Sequence, residues 1–292
     1  MTAEAAVRPV RSAARVPIGR WVWRGSLYAA LVVLCAFWVY PFVWIISASL
    51  KTNAEIFTTG LGLIPSQLQL DNYVRAWQAA SFGTYFMNTV IVSVGSTVLV
   101  VIVTAMAGYC FGRYPFPGKR IFAVLLVATI FVPTGFSIIP IFDLAQRLGL
   151  TNSLLGLVIA ETNHSIVLFL LLFGRYFSTL PRELEEAAVM DGAGFARIFF
   201  QIMLPLAKPV IATVAILQFI ASWNSFFFPL VFTLARPDLR TLGVGMIAFL
   251  GEYSIDWAGM AAAATISVVP AIVVFVLLQR LFVGGLAGAI KQ

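Results

Sequence analysis

Six long runs of apolar residues, separated by short polar stretches, dominate the pattern of the sequence. Each run reaches about 20 residues, the length of α-helix that crosses the hydrocarbon core of a bilayer. The runs are continuously apolar, whereas the strands of a membrane barrel alternate apolar and polar positions. The predicted spans are Leu27–Leu50, Tyr85–Phe111, Ile121–Phe142, Leu154–Phe177, Val210–Leu234 and Gly259–Val283. The pattern therefore predicts an all-α membrane protein with six transmembrane helices.

Helix-modifying residues occur inside several of these spans. The prolines are Pro41, Pro133, Pro140, Pro229 and Pro270. Proline is tolerated in a membrane helix when neighbouring groups satisfy the carbonyls that it leaves free, so we expect kinked helices.

Gly108 and Gly112 have a spacing that permits a close helix crossing, although this spacing is common by chance.

Composition excludes several other classes of protein. Hydrophobic residues make up 61% of the chain and charged residues 11%, whereas soluble domains carry about 25% charged residues. The net charge of +7 does not indicate a nucleic-acid partner, because the basic residues lie in short stretches between apolar runs. Cys35 and Cys110 lie inside apolar runs without a CxxC pattern, which favours small buried side chains over a redox or metal site.

The distribution of Lys and Arg predicts the orientation in the membrane. With the N-terminus inside, fourteen of these residues lie in cytoplasmic segments and five lie outside. Because cytoplasmic loops carry the excess of positive charge, both termini should be cytoplasmic. The predicted organisation is a basic tail at 1–25, the first span and an extracytoplasmic segment at 26–84, a core of five spans at 85–283 and a C-terminal tail at 284–292.

The cytoplasmic segment between spans four and five, residues 178–209, has the pattern of two short helices. Pro181 is favoured at the start of a helix, and the three glutamates that follow place negative charge where it complements the helix dipole. Gly192 suits a left-handed stop, and a second amphipathic helix then ends near Leu204. Two interpretations remain open: a hairpin that docks on a cytoplasmic protein, or a stiff connection between two spans.

A motif in this segment carries a family resemblance. The order is Glu186-Ala187-Ala188, three residues, Gly192, nine residues, Ile202, one residue and Leu204-Pro205. It resembles the EAA loop of the permease subunits of binding-protein-dependent ABC importers, and the resemblance extends from about Tyr85 to the C-terminus. It implies a MetI-like permease fold and a loop that couples the chain to ATPase subunits. The residues so assigned are Glu183, Glu186, Ala187, Ala188, Asp191, Gly192, Ile202, Leu204 and Pro205.

Further segments resemble the carbohydrate branch of this family, specifically the maltose-type second permease subunit. In chain order they are Asp71-Asn72-Tyr73, Asn88-Thr89, Phe116–Arg120, Leu148–Ser153, Trp223-Asn224 and Gly284–Lys291. Ser225 departs from the pattern, because the family often has an acidic residue after Trp-Asn.

The resemblance also implies the partners and the location. The chain is expected to cross the cytoplasmic (inner) membrane of a bacterium or archaeon several times, with a second, different permease subunit, two ATPase subunits and a soluble extracytoplasmic substrate-binding protein. No cofactor is expected on this chain, since ATP and Mg²⁺ would bind the ATPase subunits. The nearest approach to a phosphate loop, from Gly112 to Lys119, has the wrong spacing.

Six side chains inside the predicted spans are candidates for the translocation path. They are Glu161, Asn163, His164, Gln218, Trp223 and Asn224. Ionisable groups in a membrane are costly and are functional candidates for that reason. An aromatic ring beside amides suits a sugar, which stacks on the ring and hydrogen-bonds the amides. The alternative is that these residues only hold helices together.

The predicted function is the transmembrane subunit of an ATP-driven importer for a sugar or a related polyol, forming half of the path. The alternatives are the same class of importer with a phosphorylated polyol or an amino acid as cargo, and a stand-alone ion-coupled transporter that uses Glu161 and His164. The chain itself is expected to be non-catalytic. Its single histidine has no convincing partner for a catalytic triad, and no metal site is predicted.

Overall fold

The computed structural model describes the backbone of residues 18–79, 81–251 and 254–290, and their side chains except at 18–22, 79, 134, 164, 278 and 280–290. The predicted basic tail at 1–25 therefore lies mostly outside the described residues. The helices are α1 Ile18–Ala48, α2 Asn53–Thr58, α3 Asp71–Ala79, α4 Phe82–Arg113, α5 Lys119–Ile130, α6 Thr134–Arg147, α7 Leu154–Glu161, α8 Ile166–Thr179, α9 Glu183–Met190, α10 Phe195–Ile198, α11 Leu204–Leu206, α12 Lys208–Trp223, α13 Phe227–Phe232, α14 Leu242–Gly245 and α15 Trp257–Ile290.

Three helices are each long and apolar enough to cross a membrane within the described part of the chain, namely α1, α4 and α15. They correspond to the first, second and sixth predicted spans. Pro41 and Pro270 lie inside α1 and α15 without interrupting them. The helix α15 continues to Ile290, into the segment predicted as a C-terminal tail. With each bent helix pair counted as one span, the described residues contain up to six.

The third and fourth predicted spans are interrupted. The helices α5 and α6 meet at 107°, and α7 and α8 meet at 56°. Pro133 lies in extended backbone directly before α6, and proline also disfavours helix at the residue that precedes it. The second interruption contains no proline and consists of a 3₁₀ turn at Thr162–His164. The third span is therefore bent at one of its prolines, as expected, whereas the sequence does not predict the break in the fourth span.

The fifth span is shorter than predicted. The helix α12 ends at Trp223, and the chain turns before α13 begins at Phe227. The Asn224 side chain donates to the Ile220 carbonyl oxygen at 2.9 Å and so satisfies one of the last carbonyls of α12. The predicted helix Val210–Leu234 is therefore two helices.

The helix α4 lies at the centre of the bundle and packs against α8, α12, α7 and α14. Its contact with α8 is a close crossing of glycines. A Cβ atom at Gly112 would collide with the Gly174 carbonyl oxygen, and one at Gly108 would lie 2.9 Å from the Gly174 nitrogen. Small residues let two membrane helices approach this closely. The glycine spacing seen in the sequence therefore marks a helix crossing.

Candidate functional site

The segment with the EAA motif folds as two short arms joined by a tight turn, and we refer to residues 183–206 as the hairpin. The first arm is α9, and the second runs from Phe195 to Leu206. The turn is a Schellman motif, in which Ala193 donates to the Ala188 carbonyl oxygen and Gly192 donates to that of Val189, both at 2.9 Å. Gly192 has φ +78°, which a glycine adopts without strain. The predicted left-handed stop at Gly192 is confirmed.

The outer surface of the hairpin is acidic and apolar. Among the residues that the motif assigns, Glu183, Glu186, Ala187, Asp191, Gly192 and Pro205 are exposed. Large apolar side chains stand beside them, including Leu184, Val189 and Met190, of which Met190 is 86% exposed. Large apolar residues that are exposed together mark an interaction surface.

Three residues of the motif instead face the protein. Ala188 is buried in a cluster that includes Phe173, Phe177 and Phe199. Ile202 and Leu204 are partly buried and pack against the same cluster. The second arm contains a π-helical stretch at Phe199–Met203, where the Leu204 amide donates to the Phe199 carbonyl oxygen. This contact geometry gives Ala188, Ile202 and Leu204 a supporting position, and it leaves Ala187 as the accessible alanine of the pair.

Two residues that sequence reasoning missed, Arg113 and Tyr109, support the hairpin from α4. The Arg113 side chain is 4% exposed, and its guanidinium forms an ion pair with Glu185 of α9 at 3.0 Å. Tyr109 is fully buried, and its ring contacts Phe195 and Phe199 of the second arm. The one sequence signal for Arg113 is that it is the only charged residue of the stretch 82–113, which contains the second span. Nothing in the sequence distinguishes Tyr109 from other aromatic residues of the spans.

The candidate path residues separate into buried and accessible ones. Glu161 is 1% exposed, and Gln218 is fully buried and donates to the Glu161 backbone carbonyl at 3.1 Å. Trp223 is also buried, and its indole donates to the Ser267 carbonyl of α15 at 2.9 Å. These contacts hold α7, α12 and α15 together.

Asn163 and Asn224 are the accessible candidates. Asn163 lines a cavity of about 370 Å³ with Thr129 and Ser165, beside the interruptions of the third and fourth spans. Asn224 lines a second cavity of about 330 Å³ with Ser225. The side chain of His164, the remaining candidate, lies outside the described residues. Groups of three or more potential metal ligands are absent from the described part of the chain.

At the end opposite the hairpin, α4 forms hydrogen bonds with residues 238–242, which lead into α14. The Asn88 amide donates to the carbonyl oxygens of Asp238 and Arg240, at 2.8 and 3.0 Å. The Thr89 hydroxyl accepts from the Leu242 amide at 2.8 Å. In this exposed segment, hydrogen bonding by Arg236 lowers the pKa of Asp238 below its ordinary value.

Comparison with known proteins identifies what this arrangement is similar to. Residues 104–287 match the family model described as "Binding-protein-dependent transport system inner membrane component". The diacetylchitobiose uptake system permease protein NgcG of Streptomyces coelicolor is 34% identical over 267 residues, which are 91% of this chain and 86% of the relative. The melibiose/raffinose/stachyose import permease protein MelC of Bacillus subtilis is 33% identical over 264 residues, which are 90% and 94% of the two chains.

A solved structure supports the fold. A chain in the crystal structure of a bacterial ABC transporter involved in the import of the acidic polysaccharide alginate superposes with a TM-score of 0.78. The match covers 94% of this chain and 99% of the other, at 24% sequence identity. The interrupted spans and the hairpin therefore belong to an ABC importer permease fold.

Proposed function

The chain belongs to the family of binding-protein-dependent transport system inner membrane components, and we propose that it forms one transmembrane half of an ATP-driven importer for a sugar or a related polyol. The observation that carries this proposal is the hairpin, which stands at one end of the bundle with an acidic and apolar outer surface. The match to the family model includes the whole hairpin. In this proposal ATP is hydrolysed on separate ATPase subunits, and this chain transmits their movement.

The hairpin suits the docking of an ATPase subunit. Leu184 and Met190 offer exposed apolar contact area on the first arm, and Glu186 offers a charge beside it. Apolar contacts at the centre of an interface and charges at its rim are the usual anatomy of a protein–protein contact. The fixed Schellman turn presents these side chains in one arrangement, which reduces the conformational entropy lost on docking.

The cargo is proposed from the relatives and from the chemistry of the cavities. Several relatives are permeases for oligosaccharides, among them the arabinooligosaccharides transport system permease protein AraQ of Bacillus subtilis, which is 31% identical over 274 residues. The accessible Asn163 and Asn224 are neutral hydrogen-bonding groups, which can bind the hydroxyls of a sugar. They lie beside helix interruptions, where membrane transporters commonly place their substrate sites.

The proposed assembly and orientation follow from the same reasoning. Both termini and the hairpin lie on the cytoplasmic side, because that side then holds most of the Lys and Arg residues. A second, different permease subunit completes the path, two ATPase subunits dock on the hairpins, and a soluble binding protein delivers the sugar from outside. Transport proceeds by alternating access, driven by the different affinity of ATP for the two states of the complex.

The proposal is tested by purifying the tagged chain from membranes of its own host in mild detergent. The wild-type chain should retain a second permease and an ATPase, and the complex should hydrolyse ATP. The Glu186→Lys chain should retain at least about tenfold less co-purified ATPase than wild type, because reversing an interfacial charge costs a few kcal/mol. Asp143→Lys is the matched control, since it reverses another exposed carboxylate, on α6.

The other outcomes are equally informative. Retention of the ATPase by the Glu186→Lys chain would show that the hairpin is not the docking surface. Equal loss of the ATPase in both charge-reversal variants would show that the loss is not specific to the hairpin, which contradicts its assignment as the docking surface. A wild-type chain that purifies alone and transports in vesicles without ATP would favour the ion-coupled alternative over the ABC importer.

A further inference from the structure

We propose that Arg113 is the positioning residue that fixes the hairpin to α4, so that the hairpin and α4 move as one body. This inference rests on the proposed function and adds the route by which movement of a docked ATPase reaches the membrane-spanning helices. Arg113 is the last residue of α4, and its guanidinium contacts the segment that leads into the first arm. It is a positioning residue because it acts on the docking surface through α9.

The Arg113 side chain donates four hydrogen bonds where the ends of α4 and α8 meet the start of α9. Its Nη1 donates to the carbonyl oxygens of Phe177 and Leu180, at 3.3 and 2.8 Å, and its Nη2 donates to that of Pro181 at 3.1 Å. Its Nε donates to Glu185 Oε1 at 3.0 Å. One side chain thus joins the end of α4, the end of α8 and the first turn of α9.

The chemistry of these partners explains why the residue is an arginine. The three carbonyls that it bonds lie at the end of α8 and just beyond it, where the negative end of the helix dipole favours a cation. Glu185 adds a full negative charge at the start of α9. The guanidinium is planar and has several donors in fixed directions, whereas a lysine ammonium is a compact point charge. An arginine can therefore bond four acceptors at once, on α8, on α9 and in the connection between them.

A second contact fixes the other arm to the same helix. Tyr109 lies one helical turn before Arg113 and is fully buried. Its ring centroid is 5.5 Å from that of Phe195 and 5.4 Å from that of Phe199. Both arms of the hairpin therefore rest on the last turns of α4, the first through an ion pair and the second through aromatic packing.

The remaining length of α4 carries the movement across the membrane. This helix has 32 residues and no proline, and the close glycine crossing joins it to α8. The helix α8 begins directly after the 3₁₀ turn that contains Asn163. A displacement of the hairpin therefore moves α4 and α8 together and changes the cavity lined by Asn163.

The test measures docking and movement separately in the complete complex purified through a tag on this chain. Cys35 and Cys110 are replaced by serine, and Asn163→Cys supplies a probe in the cavity. The rate at which a charged maleimide labels this cysteine is measured in vesicles with and without ATP and vanadate. In the same samples, the amount of bound ATPase and its rate of ATP hydrolysis are determined.

Arg113→Met should reduce the ATP-dependent change in labelling by about tenfold, a typical effect for a residue on a coupling route. Bound ATPase and hydrolysis should persist, because the exposed docking residues are unchanged. Arg113→Lys should restore part of the change, since it keeps the charge. Glu185→Gln should lose less than Arg113→Met, because the three carbonyl contacts remain. Arg147→Met is the control, since it breaks an exposed ion pair of the same 3.0 Å length on α6.

Three results would overturn the inference. Wild-type movement in the Arg113→Met complex would show that the hairpin is positioned without this residue. Equal loss of the ATPase from the Arg113→Met and Arg113→Lys complexes would make the residue a requirement for folding or docking instead. A wild-type complex that hydrolyses ATP without any change in labelling would exclude movement at Asn163. A wild-type chain that retains no ATPase would instead contradict the proposed function itself.

Discussion

The two ends of α4 hold their neighbours by different physical means. At the hairpin end, the buried Arg113 forms an ion pair with the partly buried Glu185, and Tyr109 packs within an aromatic cluster. At the opposite end, Asn88 and Thr89 form three neutral hydrogen bonds with the backbone of residues 238–242. The bonds of an ion-paired network strengthen one another, and a packed cluster adds to them. Separate neutral hydrogen bonds contribute only about 1 kcal/mol each.

This difference indicates which contacts should persist through a transport cycle. The hairpin can leave α4 only if the aromatic cluster opens and a buried charge is left unpaired, which is strongly unfavourable. The segment before α14 can leave by exchanging a few hydrogen bonds for others. We therefore expect the hairpin and α4 to stay together in every state, while the contacts at the opposite end rearrange.

The largest effect is expected from Tyr109→Ala at the hairpin end. Removing a fully buried aromatic ring typically costs about 3–5 kcal/mol, because the cavity closes only partly. The ring has contacts with Phe177, Phe195 and Phe199, so loss of the packed cluster should free the second arm. The measurement is the temperature at which the detergent-solubilised chain loses its monodisperse peak on size exclusion.

Tyr109→Phe is the matched control for this prediction. It keeps the ring and removes only a hydroxyl whose contact with the Tyr114 hydroxyl is 3.3 Å long. Its effect should stay within about 1 kcal/mol, the usual contribution of one neutral hydrogen bond. Similar losses for the two variants would mean that the hydroxyl, and not the aromatic packing, holds this end of α4.

A smaller but distinct effect is expected from Gly112→Ala in the crossing of α4 and α8. The added methyl group would meet the backbone carbonyl of Gly174, which cannot rotate away as a side chain can. Overpacking of this kind costs about 1–3 kcal/mol. Gly25→Ala on α1 is the control, since nothing lies within 4 Å of the position. Equal thermal stability of the two variants would show that the crossing is not close.

How far the sequence predicts the fold depends on where the causes lie. Apolar runs give the continuous helices α1, α4 and α15, because length and hydropathy are local properties. They do not predict the interruption at Thr162–His164, which contains no proline and follows a residue, Glu161, whose carbonyl accepts from Gln218 of another helix. Pro270 lies in an intact helix, whereas Pro133 directly precedes a new one. Tertiary packing therefore decides whether a proline interrupts a span.

The candidate site shows the same division between local and tertiary information. Gly192 is predictable because a left-handed turn is a local requirement that glycine satisfies. The burial of Ala188 and the exposure of Ala187 depend on which face of α9 meets the aromatic cluster. The role of Arg113 depends on a contact with Glu185, 72 residues away along the chain. Sequence separation of this size leaves no periodic signal.

The opposite end of α4 is tested most sharply by Thr89→Val, which removes the acceptor for the Leu242 amide. Leaving a buried N–H group unpaired costs about 1–3 kcal/mol, and this cost should appear as local opening. Hydrogen exchange of a peptide covering residues 238–245 should become about tenfold faster. Thr104→Val is the control, because Thr104 is equally buried on α4 but bonds only the Val100 carbonyl of its own helix. Faster exchange in both variants would mean that α4 itself has loosened.

The smallest effect is expected from Arg75→Met, which removes an ion pair between α3 and the start of α15 at the same end of the molecule. Arg75 lies 3.3 Å from Asp256, and its side chain is 53% exposed. Pairs this accessible contribute about 0–1 kcal/mol, and salt screens them. Asp256 also accepts from the Gly259 amide at 3.0 Å, so the start of α15 stays capped without Arg75. The thermal difference from wild type should be small in dilute buffer and disappear at about 1 M salt. If Arg75→Met instead destabilised the chain as strongly as Thr89→Val, charge would hold both ends of the molecule, and the contrast between the ends of α4 would fail.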